Sequence, residues 1–340
     1  MGDSRFRRIC LGAALAVLAL AVSGCAADAP QDFLNHPEGP IARKADSIWD
    51  ITFFIAVVVF VIVEGLLVYS LVRFRHKPGR QAKDFHGNTR LEVTLALIPT
   101  LILIGLAVPT VNTLFDVARE PEGALQVTVT AKQFWWQYDY TDLGVTTANE
   151  LVIPAGVPVF LRIEADDVIH SFWVPRLAGT QDAVPGRTNT LVLEADDPGQ
   201  RYMGQCKEFC GLSHANMRLL VYTKTQGEFD EWVAEQAADA QPATGAAARG
   251  EQIFLEAGCV NCHAVRGTEA EGATAPDLTH FGSRTTFAGA IFKLANEEED
   301  GELAAWLRNP PAVKPGALMP DYGLTEDQIQ SLVTYLMSLK

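Results

Sequence analysis

Two short stretches of this chain gather side chains that bind metals. The first, GQCKEFCGLSHANM, runs from Gly204 to Met217 and spaces Cys206, Cys210, His214 and Met217 as C-x3-C-x3-H-x2-M. Two thiols this close allow a disulfide, or a zinc site completed by the imidazole. Zinc seldom takes a thioether, and its knuckles more often use C-x2-C. Thiolate, imidazole and a nearby methionine are the donors of copper electron-transfer sites, where methionine is a weak axial ligand. Such a site needs a second histidine from another strand, and His170 in DDVIHSFWVP supplies one. The donor types favour copper over zinc or a disulfide.

The second stretch is CVNCH, Cys259 to His263, the C-x-x-C-H pattern of covalent c-type haem attachment. Both thiols would form thioethers and His263 would face the iron. The opposite axial position is expected to hold a methionine, which raises the haem potential. Met319 in the Pro/Gly-rich loop PGALMPDYG is the candidate; Met337 falls in the final helical segment and reads as core, and His280 is a weaker rival.

The remaining cysteines fit an exported chain. Arg5, Arg7 and Arg8 precede a short apolar run ending at small residues, the pattern of an export signal over residues 1–24. Val22-Ser23-Gly24-Cys25 resembles a lipobox, with Cys25 the lipidated first residue of the mature chain. Cys10 lies inside the signal. Of six cysteines, none is then left over for a structural disulfide. The formal net charge of −14 excludes a generally basic, nucleic-acid-seeking surface and suits a basic partner.

Several elements must position these groups. An exported segment over 25–47 leads to two apolar runs, 48–72 and 91–114, long enough to span a bilayer. Arg73, Arg75, Lys77, Arg80, Lys83 and Arg90 lie between them against a single Asp84, which puts that loop in the cytoplasm and both ends of the hairpin outside. Glu64 lies within the first span, where a charge usually faces a protein partner. Thr89 and Glu92 suggest a capping box opening the second span. Residues 125–224 read as short strands with turn residues between them, a small sandwich. A small-residue linker follows at 237–248, then a helical domain at 249–340. There Thr325 with Gln328 caps a helix carrying Ile329, Leu332, Val333 and Leu336.

DVIHSFWVP, DAVPGRTN and GQCKEFCGLSHANM, in that order behind a two-helix hairpin, resemble subunit II of the haem–copper cytochrome c oxidases. The helical domain resembles a small class I cytochrome c, which implies that Gly250 and Phe254 meet the helix carrying Tyr335 and Leu336, with Ala275 to Leu278 (APDL) as the loop that buttresses the proximal histidine. The resemblance implies a multidomain membrane protein: a transmembrane hairpin, a cupredoxin-like Greek-key β-sandwich and an all-α cytochrome c domain. It implies CuA, two coppers bridged by Cys206 and Cys210, with His170 and His214 terminal and Met217 and the Glu208 carbonyl axial. It further implies that the Glu208 carboxylate shares a magnesium ion with subunit I, and that Glu92 stands at the mouth of a proton pathway into subunit I.

The expected partners are subunits I and III, the membrane, and a soluble or membrane cytochrome c or a reductase as donor. The expected role is an electron relay from haem c to CuA to haem a, inactive alone, with the copper and haem domains on the outer face of a bacterial cell membrane. The family's aromatic run commonly reads Trp-Tyr-Trp; here Phe134, Trp135 and Trp136 replace it, which suits a chain carrying its own donor haem. The acidic run at residues 296–300 reads as a solvated loop or a docking patch for a basic cytochrome. A quinol oxidase subunit would lack the copper donors. A nitric oxide reductase subunit with CuA and haem c differs only in its partner, and a disulfide-bonded structural lipoprotein is the non-redox alternative.

Overall fold

The computed structural model describes residues 36–76, 78–79, 86–294 and 301–340, with Gly12 and Val17. Most of the export signal, Cys25, Lys77 and residues 80–85 of the basic loop, and the acidic run at 296–300 lie outside the described residues.

Helix α1 (Pro40–Arg73) and helix α2 (Thr89–Ala118) pack against one another as the hairpin. Both are apolar along their length and exposed to the surroundings, as lipid-facing helices are. Each is longer than the apolar run that announces it. At 1.5 Å per residue, α1 is about 50 Å long against a hydrocarbon core of about 30 Å, so its outer turns stand clear of lipid. There Arg43 pairs with Asp196 of the sandwich, and Arg176 reaches Glu38 at 2.6 Å. The cap of α2 differs from the expected one. Asn88, not Thr89, is the N-cap; its side chain accepts from Leu91 N, and Glu92 folds back to accept from Asn88 N at 3.2 Å. Thr89 is already helical, so the cap falls one residue earlier, where the Asn88 side-chain oxygen reaches an orphan N–H group.

The sandwich holds ten strands. One sheet runs β3 (Val145–Ala148), β2 (Trp135–Tyr140), β1 (Leu125–Lys132), β5 (Val159–Ala165), β8 (Asn189–Leu193). The other runs β4 (Glu150–Pro154), β10 (Arg218–Lys224), β9 (Arg201–Cys206), β6 (His170–Trp173), β7 (Thr180–Ala183). Alternation sets the faces: Val127, Val129 and Ala131 of β1 point inward with Trp136, Tyr138 and Tyr140 of β2. The parallel pairings β1–β5 and β4–β10 make the crossovers of a Greek-key sandwich.

Helix α3 (Gln226–Ala237) follows, opened by a Thr225–Glu228 capping box, and closes the sandwich with Phe229 and Trp232 against Tyr140. Helix α4 begins at Ala246 (Ala246–Glu256), so the connection between helices covers 238–245, shorter than the expected 237–248. It is tethered as well: Arg266 donates to the carbonyls of Gln236 and Ala238, and His280 Nε2 lies 3.0 Å from Ala238 O.

The last domain packs α4 across helix α5 (Glu326–Ser338). Phe254 and Tyr335 meet at 5.6 Å, and the Thr325–Gln328 capping box is present. The crossing depends on Gly250. A Cβ there would lie 2.1 Å from Ser331 O and 2.5 Å from Tyr335 Cβ, so only glycine lets the two backbones approach this closely. Gly250→Ala is expected to cost about 1–3 kcal/mol as the helices move apart. Thermal unfolding followed at the haem band should show the last domain melting lower by about 4–8 °C per kcal/mol; an unchanged melting temperature would contradict this packing.

Candidate copper and haem sites

The first cluster is built by β6, β9 and the loop that follows β9. Cys206 ends β9 opposite Phe172 of β6, which sets His170 two residues along on the same face. Two backbone bonds fix the loop base, Cys206 N to Met217 O and Lys207 N to Ser171 O, both 2.9 Å. Within this frame His170, Cys206 and Cys210 place their donor atoms within 4.8 Å of one another. Cys206 Sγ and Cys210 Sγ are free and 3.8 Å apart, well beyond the roughly 2.05 Å of a disulfide. His214 Nδ1 and Met217 Sδ stand 3.6 Å and 3.9 Å from Cys210 Sγ, and the Glu208 carbonyl oxygen is 3.2 Å from Cys206 Sγ. His170 presents Nδ1 to Cys206 at 3.8 Å. All six expected groups therefore converge. The donor set of two thiols, two imidazoles and a thioether fits copper better than zinc.

The electrostatics match a site that takes a cation. The contact with Cys210 pulls the Cys206 thiol well below its ordinary pKa, and the same contact pushes Cys210 up, so the pair shares one proton. Burial opposes charge on His170, but its bonds to Cys206 and Asp167 outweigh burial and raise its pKa. Asp167 is a residue the motif reading passes over. Its carboxylate holds His170 Nε2 at 2.8 Å, leaving Nδ1 to face the sulfurs. The signal was an acid three residues before the histidine in DDVIH.

The second cluster lines a cavity in the last domain. Cys259, Cys262, His263 and Met319 all border it, with Phe254, Leu332 and Leu336 from α4 and α5. His263 Nδ1 donates to Pro276 O at 2.7 Å, within the APDL loop, which leaves Nε2 for the cavity. Burial holds His263 below its ordinary pKa, as a neutral ligand requires. Burial also raises the Cys259 thiol to about 11. Met337 packs on the core and His280 is bonded to the linker; neither borders the cavity.

The cavity wall is not confined to one domain. Gln133, Phe134, Trp135 and Asn149 of the sandwich complete it. Gln133 Nε2 in turn donates to Cys210 O at 2.5 Å, so one residue touches both clusters. Trp136, buried behind them, lies edge-on to His170 with ring centroids 6.1 Å apart. Glu92 lies far along the hairpin, at the start of α2, and belongs to neither cluster.

Residues 29–113 match the description cytochrome C oxidase subunit II, transmembrane domain; residues 143–224 match its periplasmic domain, and 247–340 match cytochrome c. The cytochrome c oxidase subunit 2 of Alkalihalophilus pseudofirmus is 38% identical over 336 residues, covering 96% of both chains. The chain belongs to the cytochrome c oxidase subunit 2 family. The Bacillus subtilis subunit 2 is 36% identical, again over 96% of each chain. A quinol oxidase subunit 2 of Bacillus cereus is 32% identical over 64% of this chain and 76% of its own. As a member of the subunit 2 family, the chain is part of a haem–copper oxidase complex with subunit I. Its copper and cytochrome domains lie on the outer side of the membrane. Its two soluble domain families imply bound copper and haem c.

Asp167→Ala is expected to weaken copper binding about 10–100-fold by freeing the His170 ring, measured by competition with a copper chelator. Copper uptake by the unaltered chain should fall as pH drops through the raised His170 pKa, because the proton competes for Nδ1. Unchanged affinity in the variant would show that the carboxylate does not set the ring.

Proposed function

We propose that this subunit relays electrons from a haem c on Cys259 and Cys262 to a two-copper CuA centre, and on to haem a of subunit I. When bound, haem c and the copper pair each take up and pass on one electron. The observation that carries the reading is the shared wall: Gln133 borders the haem cavity and bonds the backbone of Cys210.

The residues have separable tasks in this reading. Cys206 and Cys210 would hold the copper pair through their thiolates, which favour a bound cation. His170 and His214 are the terminal ligands, with Asp167 orienting the first. Met217 and the Glu208 carbonyl would add weaker donors beside the thiolates. His263 and Met319 are the haem ligands; the bond to Pro276 O fixes the His263 ring. Phe134, almost wholly buried, and Trp135 exclude water between the two clusters.

Phe209 and Leu212, 76% and 82% exposed at the tip of the copper loop, supply an apolar contact to subunit I beside the Glu208 carboxylate, which shares a magnesium ion there. Glu92 admits protons to subunit I from the other side of the membrane. A basic cytochrome c or a reductase is the donor, subunit III completes the complex, and Cys25 carries the lipid.

The test uses the assembled oxidase. After rapid reduction of haem c, its reoxidation should track copper reduction in the unaltered complex. Cys206→Ser should leave haem c reduced and copper absent; normal reoxidation in that variant would contradict the relay. Met319→Ala should abolish the methionine-to-iron absorption band while Met337→Ala keeps it, and the reverse pattern would transfer the axial role.

A further inference from the structure

The cytochrome domain touches the copper domain through one segment above all, Thr285 to Gly289. One face of this segment lines the haem cavity, through Phe287, Ala288 and Gly289. The other lies on the sandwich. Two buried charged residues hold its two ends, one contributed by each domain.

At the leading end, Glu150 of β4 is 7% exposed and comes from the copper domain. Its Oε1 accepts from Thr285 N at 3.0 Å, Thr285 Oγ1 at 2.6 Å, Thr286 N at 2.7 Å and Thr286 Oγ1 at 2.7 Å. At the trailing end, Lys314 comes from the cytochrome domain and is 3% exposed. Its Nζ donates at 2.7 Å to Ala288 O within its own domain and at 2.7 Å to Phe134 O across the boundary. One residue beyond Ala288, Gly289 O accepts from Arg218 N, next to Met217, at 3.0 Å. Gly289 is in the left-handed region, and a Cβ there would lie 2.6 Å from Asn216 O.

We propose that Glu150 and Lys314 are positioning residues for haem-to-copper electron transfer, acting as a two-ended latch that seats the haem cavity on the Gln133–Trp135 wall. Neither is a candidate metal or haem ligand; Glu150 acts through the segment it holds, and Lys314, which also borders the haem cavity, acts through that segment and Phe134 O. Both charges are solvated again if the domains part, so the latch selects one docked geometry more than it adds affinity. A carboxylate matched to four donors, and an ammonium matched to two carbonyls, have no equivalent pairing at a shifted register. Transfer then scales with the population of that docked geometry.

This proposal rests on the relay reading, and the experiment separates the two. In the assembled oxidase, haem c is reduced rapidly and its electron transfer to copper is timed in the unaltered chain, Lys314→Met, Glu150→Ala and Glu150→Gln. Lys314→Met and Glu150→Ala should slow transfer by about tenfold or more, the fall expected if the docked population drops to a tenth. The methionine-to-iron band, the copper EPR signal and direct copper reduction by dithionite should stay as in the unaltered chain. Glu150→Gln, which keeps the acceptor oxygen, should restore most of the rate. Should Lys314→Met fail to assemble, the contrast between Glu150→Ala and Glu150→Gln decides alone. Rates within about twofold of the unaltered chain in both disrupting variants would mean a docked population hardly changed, and would overturn the latch. Absence of transfer in the unaltered chain would overturn the relay reading and the latch with it.

Discussion

The pairing of β1 with β2 holds the two cofactor regions of this chain in register with each other. From Thr128 opposite Asp139 to Lys132 opposite Trp135, five residue pairs leave only Gln133 and Phe134 to make the turn. A slip of one residue would turn Val127, Val129 and Ala131 out of the core, a cost the sandwich cannot meet. The turn is thereby fixed in space, and with it the amide of Gln133 on Cys210 O and the ring of Phe134 at the haem cavity. A core constraint in one sheet sets the relation between two sites that lie in different domains.

The boundary between the soluble domains is polar and closely fitted. Beyond the buried Glu150 and Lys314, Ser213 of the copper loop donates to Pro315 O at 2.6 Å, four residues before Met319. Burial pushes the Lys314 ammonium down to about 7, and the nearby Cys210 offsets this only in part. Surfaces that simply stick are apolar; this one spends buried charge, which favours a particular orientation. The tethered connection over 238–245 works in the same direction, since its bonds to Arg266 and His280 shorten the effective leash between domains.

Much of this was legible in the sequence because the ligands cluster locally. Cys206, Cys210, His214 and Met217 come from one loop, and Cys259, Cys262 and His263 from one turn, so spacing alone carries the chemistry. His170 is a distant partner, and the strand before it together with the family motif pointed to it. The approach of Gly250 to Tyr335 follows from the resemblance of the last domain to a class I cytochrome c. Other features were present but ambiguous: Thr225 and Glu228 spell a capping box, yet the small residues beyond them draw the eye to a linker and hide α3. The contacts of Glu150 with Thr285 and Thr286 span 135 and 136 positions and join two domains, and no local pattern announces them. Lys314 sits in a Pro-rich loop where a lysine normally reads as solvent-exposed.

In the proposed relay, one wall is common to the domain that would hold haem c and the domain that would hold copper. The relay's central claim is that the two sites are docked in one geometry within the working oxidase. The most direct test is pulsed EPR of the distance between oxidised haem c and mixed-valence copper in the assembled complex. A single narrow distance, unchanged by salt, is the predicted result. A broad distribution, or one that collapses to short distances only at low salt, would contradict it.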